Sequence, residues 1–233
     1  MAFRGRGRGR REGRREFEEK KEWIPKTKLG QQVVKGEIKD IKEILEKGEV
    51  ILEPGIVDAL VPNLRSEMVY IGGSPGKGGG TRRTATKRTA RMHKSGRRFK
   101  LSAMVAVGNE DGILGLGVAK SKENRTAIEK AENQARMNVI IVRLGCGSWE
   151  CGCGGTHSIP FKSHAKEGSV RVTLIPAPKG VGIVGCDAVK KIAKLAGIRD
   201  IWINAEGNTG ARSNLVAAFF EALRNLNRTK GGL

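Results

Sequence analysis

The chain has 233 residues with 44 Lys and Arg against 24 Asp and Glu, a formal charge of +20, and aromatic residues at only 4%. That length holds one or two domains with cores of their own, and no run of ~18 apolar residues suggests a membrane span. The charge is clustered rather than spread, which argues against a purely solubilising role and for a polyanionic partner such as nucleic-acid phosphate; with few rings for base stacking, phosphate contact and shape readout are favoured.

Residues 1–22 open the chain as a basic Arg/Gly arm, with seven Arg against Glu12 between Met1 and Arg15, giving +6. With little to bury, the arm is expected to be disordered until it meets RNA. No apolar stretch follows its arginines, so it does not read as a secretion signal, and the chain is expected to be soluble and intracellular. From Trp23 the composition turns globular. Ile38, Ile41 and Leu45, then Ile56, Leu60 and Leu64, recur at helical spacing and predict two short helices separated by Gly48 and Pro54.

From Met68 to Asn109 the chain carries ten Lys or Arg and no Asp or Glu. Side chains of one sign repel, so such a run calls for an external polyanion. Six glycines between Gly72 and Gly80 open it and permit close backbone approach, which predicts a flexible basic loop leading into structure. A period of two then places Phe99, Leu101, Ala103, Val105 and Val107 on one face of a strand. Gly108-Asn-Glu-Asp-Gly112 supplies a turn, and Ile113 to Lys120 returns as the second strand of a hairpin. Gly115 and Gly117 leave one face of that strand open to a packed helix or a ligand backbone. Ser121 or Asn124 is the expected cap of a long helix whose stripe is Ile128, Ala131, Ala135, Val139 and Val142.

The Gly/Cys-rich stretch 145–158 interrupts the pattern and is read as a linker, dividing residues 23–144 from a C-terminal α+β domain at 159–233. In the latter, Val170, Val172 and Leu174 alternate along a strand from Ser169 to Ile175. Asp187 is the expected cap of a helix bearing Val189, Ile192, Ala193 and Ala196. Ile201 and Ile203 mark a short strand. Ser213 is the expected cap of the last helix, with Leu215, Ala218, Phe219, Ala222, Leu223 and Leu226 on its apolar face. No internal repeat is visible.

Two motifs hint at chemistry. Gly180-Val-Gly182-Ile-Val-Gly185 fits GxGxxG with Glu206 downstream, but too few βα units follow for a dinucleotide fold. It reads as a tight turn joining helix and sheet, with a helix N-terminus available to a phosphate. Cys146-x4-Cys151-x-Cys153-x3-His157 offers three soft thiols and an imidazole, a candidate structural zinc site; the alternative is small cysteines packed in a linker. The cysteine pattern is not a secreted disulfide framework, and the thiols are read as reduced. The run at Gly72 to Gly80 fails the P-loop pattern, and no His is followed by Glu two residues on, as a zinc deaminase requires. No His, Ser and Asp grouping reads as a nucleophile with its base. Neither an enzyme nor a nucleotide cofactor is expected; the rivals are a nucleotide-dependent enzyme built on the Gly180 turn and a free-standing RNA chaperone.

Gly96-Arg-Arg-Phe99 with Met104-Val-Ala-Val-Gly108, the Gly112-x-x-Gly115-x-Gly117-x-x-Lys120 hairpin, and Leu174-Ile-Pro-Ala-Pro-Lys-Gly-Val-Gly182 with Leu195-Ala-Gly-Ile198 closely resemble the universal uS5 family of the small ribosomal subunit. The likeness runs from about Glu22 to Leu226. Glu22-Trp-Ile-Pro-Lys-Thr-Lys-Leu-Gly30 and the run from Cys146 resemble its archaeal branch. The resemblance implies an α+β protein of two domains. The first is a double-stranded-RNA-binding-like sheet plus helices; the second is an α+β domain, like the family's own, with a left-handed βαβ crossover. It also implies a cytoplasmic, ribosomal location, with small-subunit rRNA, neighbouring small-subunit proteins and mRNA near the entrance channel as partners, and a part in assembly and decoding fidelity. Arg88, Arg91 and Lys94 occupy the family's basic positions, in a loop longer and more basic than the bacterial pattern. The expected rRNA contacts are the arm and the Arg82 to Lys100 loop through Arg82, Arg83, Lys87, Arg88, Arg91, Lys94, Arg97 and Arg98, with Lys120, Lys122 and Arg125 beyond it.

Overall fold

The computed structural model describes residues 23–228; the predicted arm 1–22 lies outside the described residues. Three short helices open the fold: α1 (Lys28–Lys35), α2 (Ile41–Glu46) and α3 (Pro54–Leu60). α1 is not foreshadowed by periodicity, since of its apolar side chains only Leu29 and Val33 join the core. It is started by Thr27, whose hydroxyl accepts from the Gly30 amide at 3.1 Å. Glu53 ties this segment to α3: its carboxylate accepts from the Trp23 indole (2.9 Å) and from the amides of Lys26 and Thr27 (2.9 and 2.6 Å). The expected helix from Ile56 to Leu64 is displaced, because Pro54 suits the first turn and Pro62 disfavours helical backbone at Val61.

Seven strands and one helix follow: β1 (Arg65–Met68), β2 (Gly72–Pro75), β3 (Thr81–Thr84), β4 (Thr86–His93), β5 (Gly96–Gly108), β6 (Ile113–Ser121), α4 (Asn124–Met137) and β7 (Val139–Ile141). β1 and β4 share one edge of the long β5, β6 lies on the other edge, and β7 pairs with β6. β2 and β3 form a separate hairpin.

The expected period-two face holds. Ala103, Val105 and Val107 meet Ala127, Ala131 and Ala135 of α4. Gly115 and Gly117 serve this contact, for a Cβ at Gly117 would stand 2.0 Å from the Ala131 carbonyl oxygen. The predicted helical stripe runs too far: Asn138 ends α4 by turning its amide to the Leu116 carbonyl (3.0 Å), and Val139 enters the sheet instead. Nor does Ser121 or Asn124 cap α4. Glu123 holds that position without a side-chain bond, while the Thr126 hydroxyl reaches back to its carbonyl and the Ser121 and Thr126 hydroxyls meet at 2.7 Å.

The C-terminal sheet runs β10–β11–β9–β8, from β8 (Ser163–Glu167), β9 (Val170–Pro176), β10 (Ile183–Val184) and β11 (Ile201–Gly207). Only β10 and β11 are parallel, joined through α5 (Asp187–Leu195) as a βαβ unit. α6 (Arg212–Asn225) covers the sheet with Phe219, Ala222 and Leu223, and Leu226 at its C-cap joins them, all fully buried. Here the caps sit earlier than expected, at Cys186 rather than Asp187 and at Ala211 rather than Ser213; Asp187 lies in the first turn of α5, where its charge still suits the helix dipole.

The two sheets are joined by backbone. The end of α5 leaves carbonyls without helical partners, and the β5–β6 turn supplies them: the Glu110 amide donates to Leu195 (2.9 Å) and the Gly112 amide to Ala196 (3.1 Å). Gly197 (φ +83°) permits this approach, since a Cβ there would lie 2.3 Å from the Glu110 oxygen. Met104, Ala106, Leu114 and Leu116, from the face of the first sheet opposite α4, enter one apolar cluster with Leu174, Ile192, Ile198 and Phe219.

Candidate nucleic-acid interface and metal centre

The basic segment is not the expected loop. Arg82 and Arg83 lie on β3, and Lys87, Arg88 and Arg91 on β4; Lys94 is in a two-residue turn, and Arg97 and Arg98 are on β5. Strand pairing satisfies the backbone, so charge density does not prevent order; glycine content and the lack of apolar alternation concealed it. β6 covers β5 only from Leu101 onward, so Gly96 to Lys100 pairs with β4 alone. The result is a two-stranded ribbon projecting about 17 Å from the sheet. Every residue from Lys87 to Lys100 is exposed.

Register sorts its side chains into two faces. Lys87 stands opposite Ser102, which stands opposite Lys120; Thr89 faces Lys100 and Arg91 faces Arg98. One face therefore carries Lys87, Arg91, Arg98, Lys100 and Lys120. Among the described residues none of these five is in an ion pair, and Arg91 and Arg98 are like charges directly opposed, an arrangement that destabilises an isolated sheet. The other face carries Arg88, Met92, Arg97 and Phe99. There the Arg88 guanidinium lies 3.6 Å from the Phe99 ring centroid, and Met92 is 71% exposed. Phe99 was missed as a candidate contact, and Lys100 stood only as the end of the expected loop, although the place of both in a period-two run was visible.

The remaining predicted contacts surround the ribbon's base. Thr86 donates to Asn124 at 2.9 Å, bringing β4 to the start of α4, near the exposed Lys122 and Arg125. Arg125 is paired with Glu129 one turn on, at 2.8 Å.

The second feature is the loop of residues 146–157. Its neck is closed by reciprocal bonds between Gly145 and Ser158, both 2.8 Å, and by the Gly147 amide on Ile159 at 3.1 Å. Within it the sulfurs of Cys146, Cys151 and Cys153 and a ring nitrogen of His157 lie within 4.8 Å of one another. A tetrahedral zinc with bonds near 2.3 Å to sulfur and 2.0 Å to nitrogen has ligand atoms roughly 3.5–3.8 Å apart; Cys151 Sγ and His157 Nε2 are at 3.8 Å. All four cysteines are free thiols.

Two thiols of the cluster, Cys151 and Cys146, are shifted in opposite directions. The backbone N–H of Lys179 above all, then Cys153 and His157, lower the Cys151 thiol to about 6. Hydrogen bonding with Cys153, then burial, push Cys146 up to about 11. The donor set suits a soft divalent ion, and four protein ligands leave no position for a reacting water, the pattern of a structural rather than a catalytic site.

The GxGxxG turn binds no outside phosphate through its first two glycines. Gly180 and Gly182 have positive φ, and their amides donate to Asp200 Oδ1 at 3.1 and 2.8 Å. β10 then intervenes before α5, and the Glu206 carboxylate, on the exposed half of β11, accepts from the Asn204 side-chain amide. A dinucleotide cradle is not formed.

Both halves of this architecture match one family. The sequence profile of "Ribosomal protein S5, N-terminal domain" matches residues 81–143, and that of "Ribosomal protein S5, C-terminal domain" matches residues 165–230. The chain belongs to the ribosomal protein S5 family. Similar proteins of the family include the "Small ribosomal subunit protein uS5" of Methanocaldococcus jannaschii, 47% identical over 90% of this chain and 89% of that protein. That of Pyrobaculum calidifontis is 45% identical over 87% and 93%, and that of Methanothermobacter thermautotrophicus is 46% identical over 90% of each. The family match covers the ribbon and the βαβ unit; the loop of residues 146–157 falls between the two profiles. Among the described residues no helix is long and apolar enough to cross a membrane.

Proposed function

We propose that this chain is a non-enzymatic constituent of the archaeal small ribosomal subunit, acting in the cytoplasm, that binds rRNA and touches neighbouring ribosomal proteins. The observation that carries the reading is the ribbon: five cations on one face, exposed and without acidic partners among the described residues, on a chain of the S5 family. Phosphate is the group that offsets their mutual repulsion. Arg82, Arg83, Lys87, Arg88, Arg91, Lys94, Arg97, Arg98, Lys120, Lys122 and Arg125 are the proposed rRNA contacts. The finer role, support of subunit assembly, decoding fidelity and mRNA near the entrance channel, belongs to the same proposal. It rests on the likeness of Arg88, Arg91 and Lys94 to the family's basic positions.

Binding to isolated small-subunit rRNA tests it. If ~6–10 phosphates are neutralised, affinity falls by ~10³–10⁵ between about 50 and 200 mM salt. A flat salt response overturns the mechanism. Sedimentation of tagged protein separates a subunit constituent, which travels with small subunits, from a free RNA chaperone, which stays at the top of the gradient.

The same reading includes a structural zinc held by Cys146, Cys151, Cys153 and His157. When bound, the ion supplies a cross-link for a glycine-rich loop with little core of its own. Elemental analysis of reduced protein, repeated on Cys151→Ser, checks it: about one zinc per chain is expected, lost in the variant.

A further inference from the structure

Asp200 sits beside this loop, buried at 5% exposure, and uses both carboxylate oxygens. Oδ2 is 2.9 Å from His157 Nδ1, and Oδ1 accepts the amides of Gly180 and Gly182. His157, also buried, has its Nε2 toward the sulfurs. An imidazole that donates through Nδ1 keeps its lone pair at Nε2, the atom facing Cys151. The carbonyl of His157 also accepts the amides of Arg199 and Asp200, at 2.9 and 3.1 Å. The residues are far apart in sequence, so the contact joins the loop to the C-terminal domain.

We infer that Asp200 is the positioning residue of the metal centre, and that through it metal binding and the Gly180–Gly182 turn form one cooperative unit. The inference rests on the zinc reading above. The carboxylate orients the imidazole and fixes its tautomer. Held in turn by a metal-bound ring, it keeps the oxygen that the two glycine amides require. Every neighbour of Asp200 in this set is an N–H donor. An asparagine has one accepting oxygen and an NH₂ group that would face a donor, so Asp200→Asn cannot serve both sides.

The test uses the full chain with Zn²⁺, measured by competition with a chromophoric chelator, and with Co²⁺ as a spectroscopic substitute. Asp200→Asn is expected to weaken Zn²⁺ binding about 10–100-fold and to alter the Co²⁺ ligand-field bands. Ile192→Val, a core change in α5, should lower the melting temperature and leave both readouts unmoved. A wild-type chain that binds no Zn²⁺ would end the zinc reading itself. Wild-type binding with Asp200→Asn unchanged in affinity and spectrum would overturn only the role of Asp200. Hydrogen exchange on the wild type covers the case in which Asp200→Asn fails to fold: stripping zinc should speed exchange at the Gly180 and Gly182 amides, and unchanged exchange there refutes the coupling.

Discussion

Gly117→Ala is the sharpest test of how the first sheet is built. The added methyl would lie 2.0 Å from the Ala131 carbonyl oxygen, 2.4 Å from the Ala135 amide nitrogen and 2.9 Å from the Ala135 Cα. Ordinary contact begins near 3.4 Å, so α4 and β6 must separate locally by roughly 1.4 Å. The atoms in the way are backbone, which no rotamer change can move aside. Ala127, Ala131 and Ala135 are fully buried on the same helix face, so lifting α4 opens the whole contact. Overpacking of this kind costs ~1–3 kcal/mol, and the upper end applies where backbone must yield. At a urea m value of ~2 kcal/mol/M, a loss of ~2–3 kcal/mol moves the unfolding midpoint by about 1–1.5 M. Gly78→Ala is the matched control, because a Cβ there meets nothing within 4 Å; it should stay within about 0.5 kcal/mol. Equal midpoints for the two variants would mean that α4 does not seat on β6 as described.

Removing the cationic face by Lys87→Ala, Arg91→Ala and Arg98→Ala together should lower the slope of log affinity against log salt by about 2–3, with melting unchanged or slightly raised, since like charges are removed. A large fall in melting temperature would make these residues structural. Arg88→Ala should differ, losing rRNA affinity and also ~0.5–1 kcal/mol of stability with its contact to Phe99; urea titration measures the second part. Glu53 governs an acid limb. Burial acts to raise its carboxyl, but the amides of Lys26 and Thr27, the Thr27 hydroxyl and the Trp23 indole outweigh it, and the folded pKa is lowered below 4.5. A lowered folded pKa contributes stability above the unfolded value that is lost as pH falls through the folded one. Glu53→Gln should therefore narrow its gap from the wild type as pH drops below about 4, read by thermal melts; a constant gap would contradict the assignment.

Much of the C-terminal half was legible because its alternation is carried by buried apolar residues. Val170, Val172 and Leu174 face one core, and a one-residue slip would expose all three. The ribbon was not legible for the opposite reason. Both its faces meet solvent, so the period of two is written in charge and size rather than hydrophobicity, and Lys87, Arg91, Arg98 and Lys100 read as a featureless basic run. β1, β2, β8 and α1 escaped because each is short and set by tertiary pairing. Cap positions failed by a residue or two, since Glu123, Cys186 and Ala211 make no side-chain cap. The candidate metal ligands could be read as a cluster from spacing, but Asp200 could not, because nothing local links it to a histidine 43 positions earlier.

The paired ribbon also explains why so dense a basic segment is folded at all. A disordered segment would have to lose backbone entropy on meeting RNA, about 1–2 kcal/mol for each residue fixed, whereas β4 and β5 have already lost it in forming their ladder. What remains unfavourable in the free protein is the charge repulsion, and on the proposed reading that is the part a phosphate backbone would relieve. Register extends the argument beyond the ribbon. Met104 shares the face of Lys87, Arg98 and Lys120, and it enters the cluster that holds the C-terminal domain. The cationic face and the C-terminal domain therefore lie on the same side of the first sheet, with α4 on the other. The bonds between the β5–β6 turn and the end of α5 hold that arrangement in the backbone, so a polyanion seated on the five cations meets a surface whose relation to the second domain is already fixed.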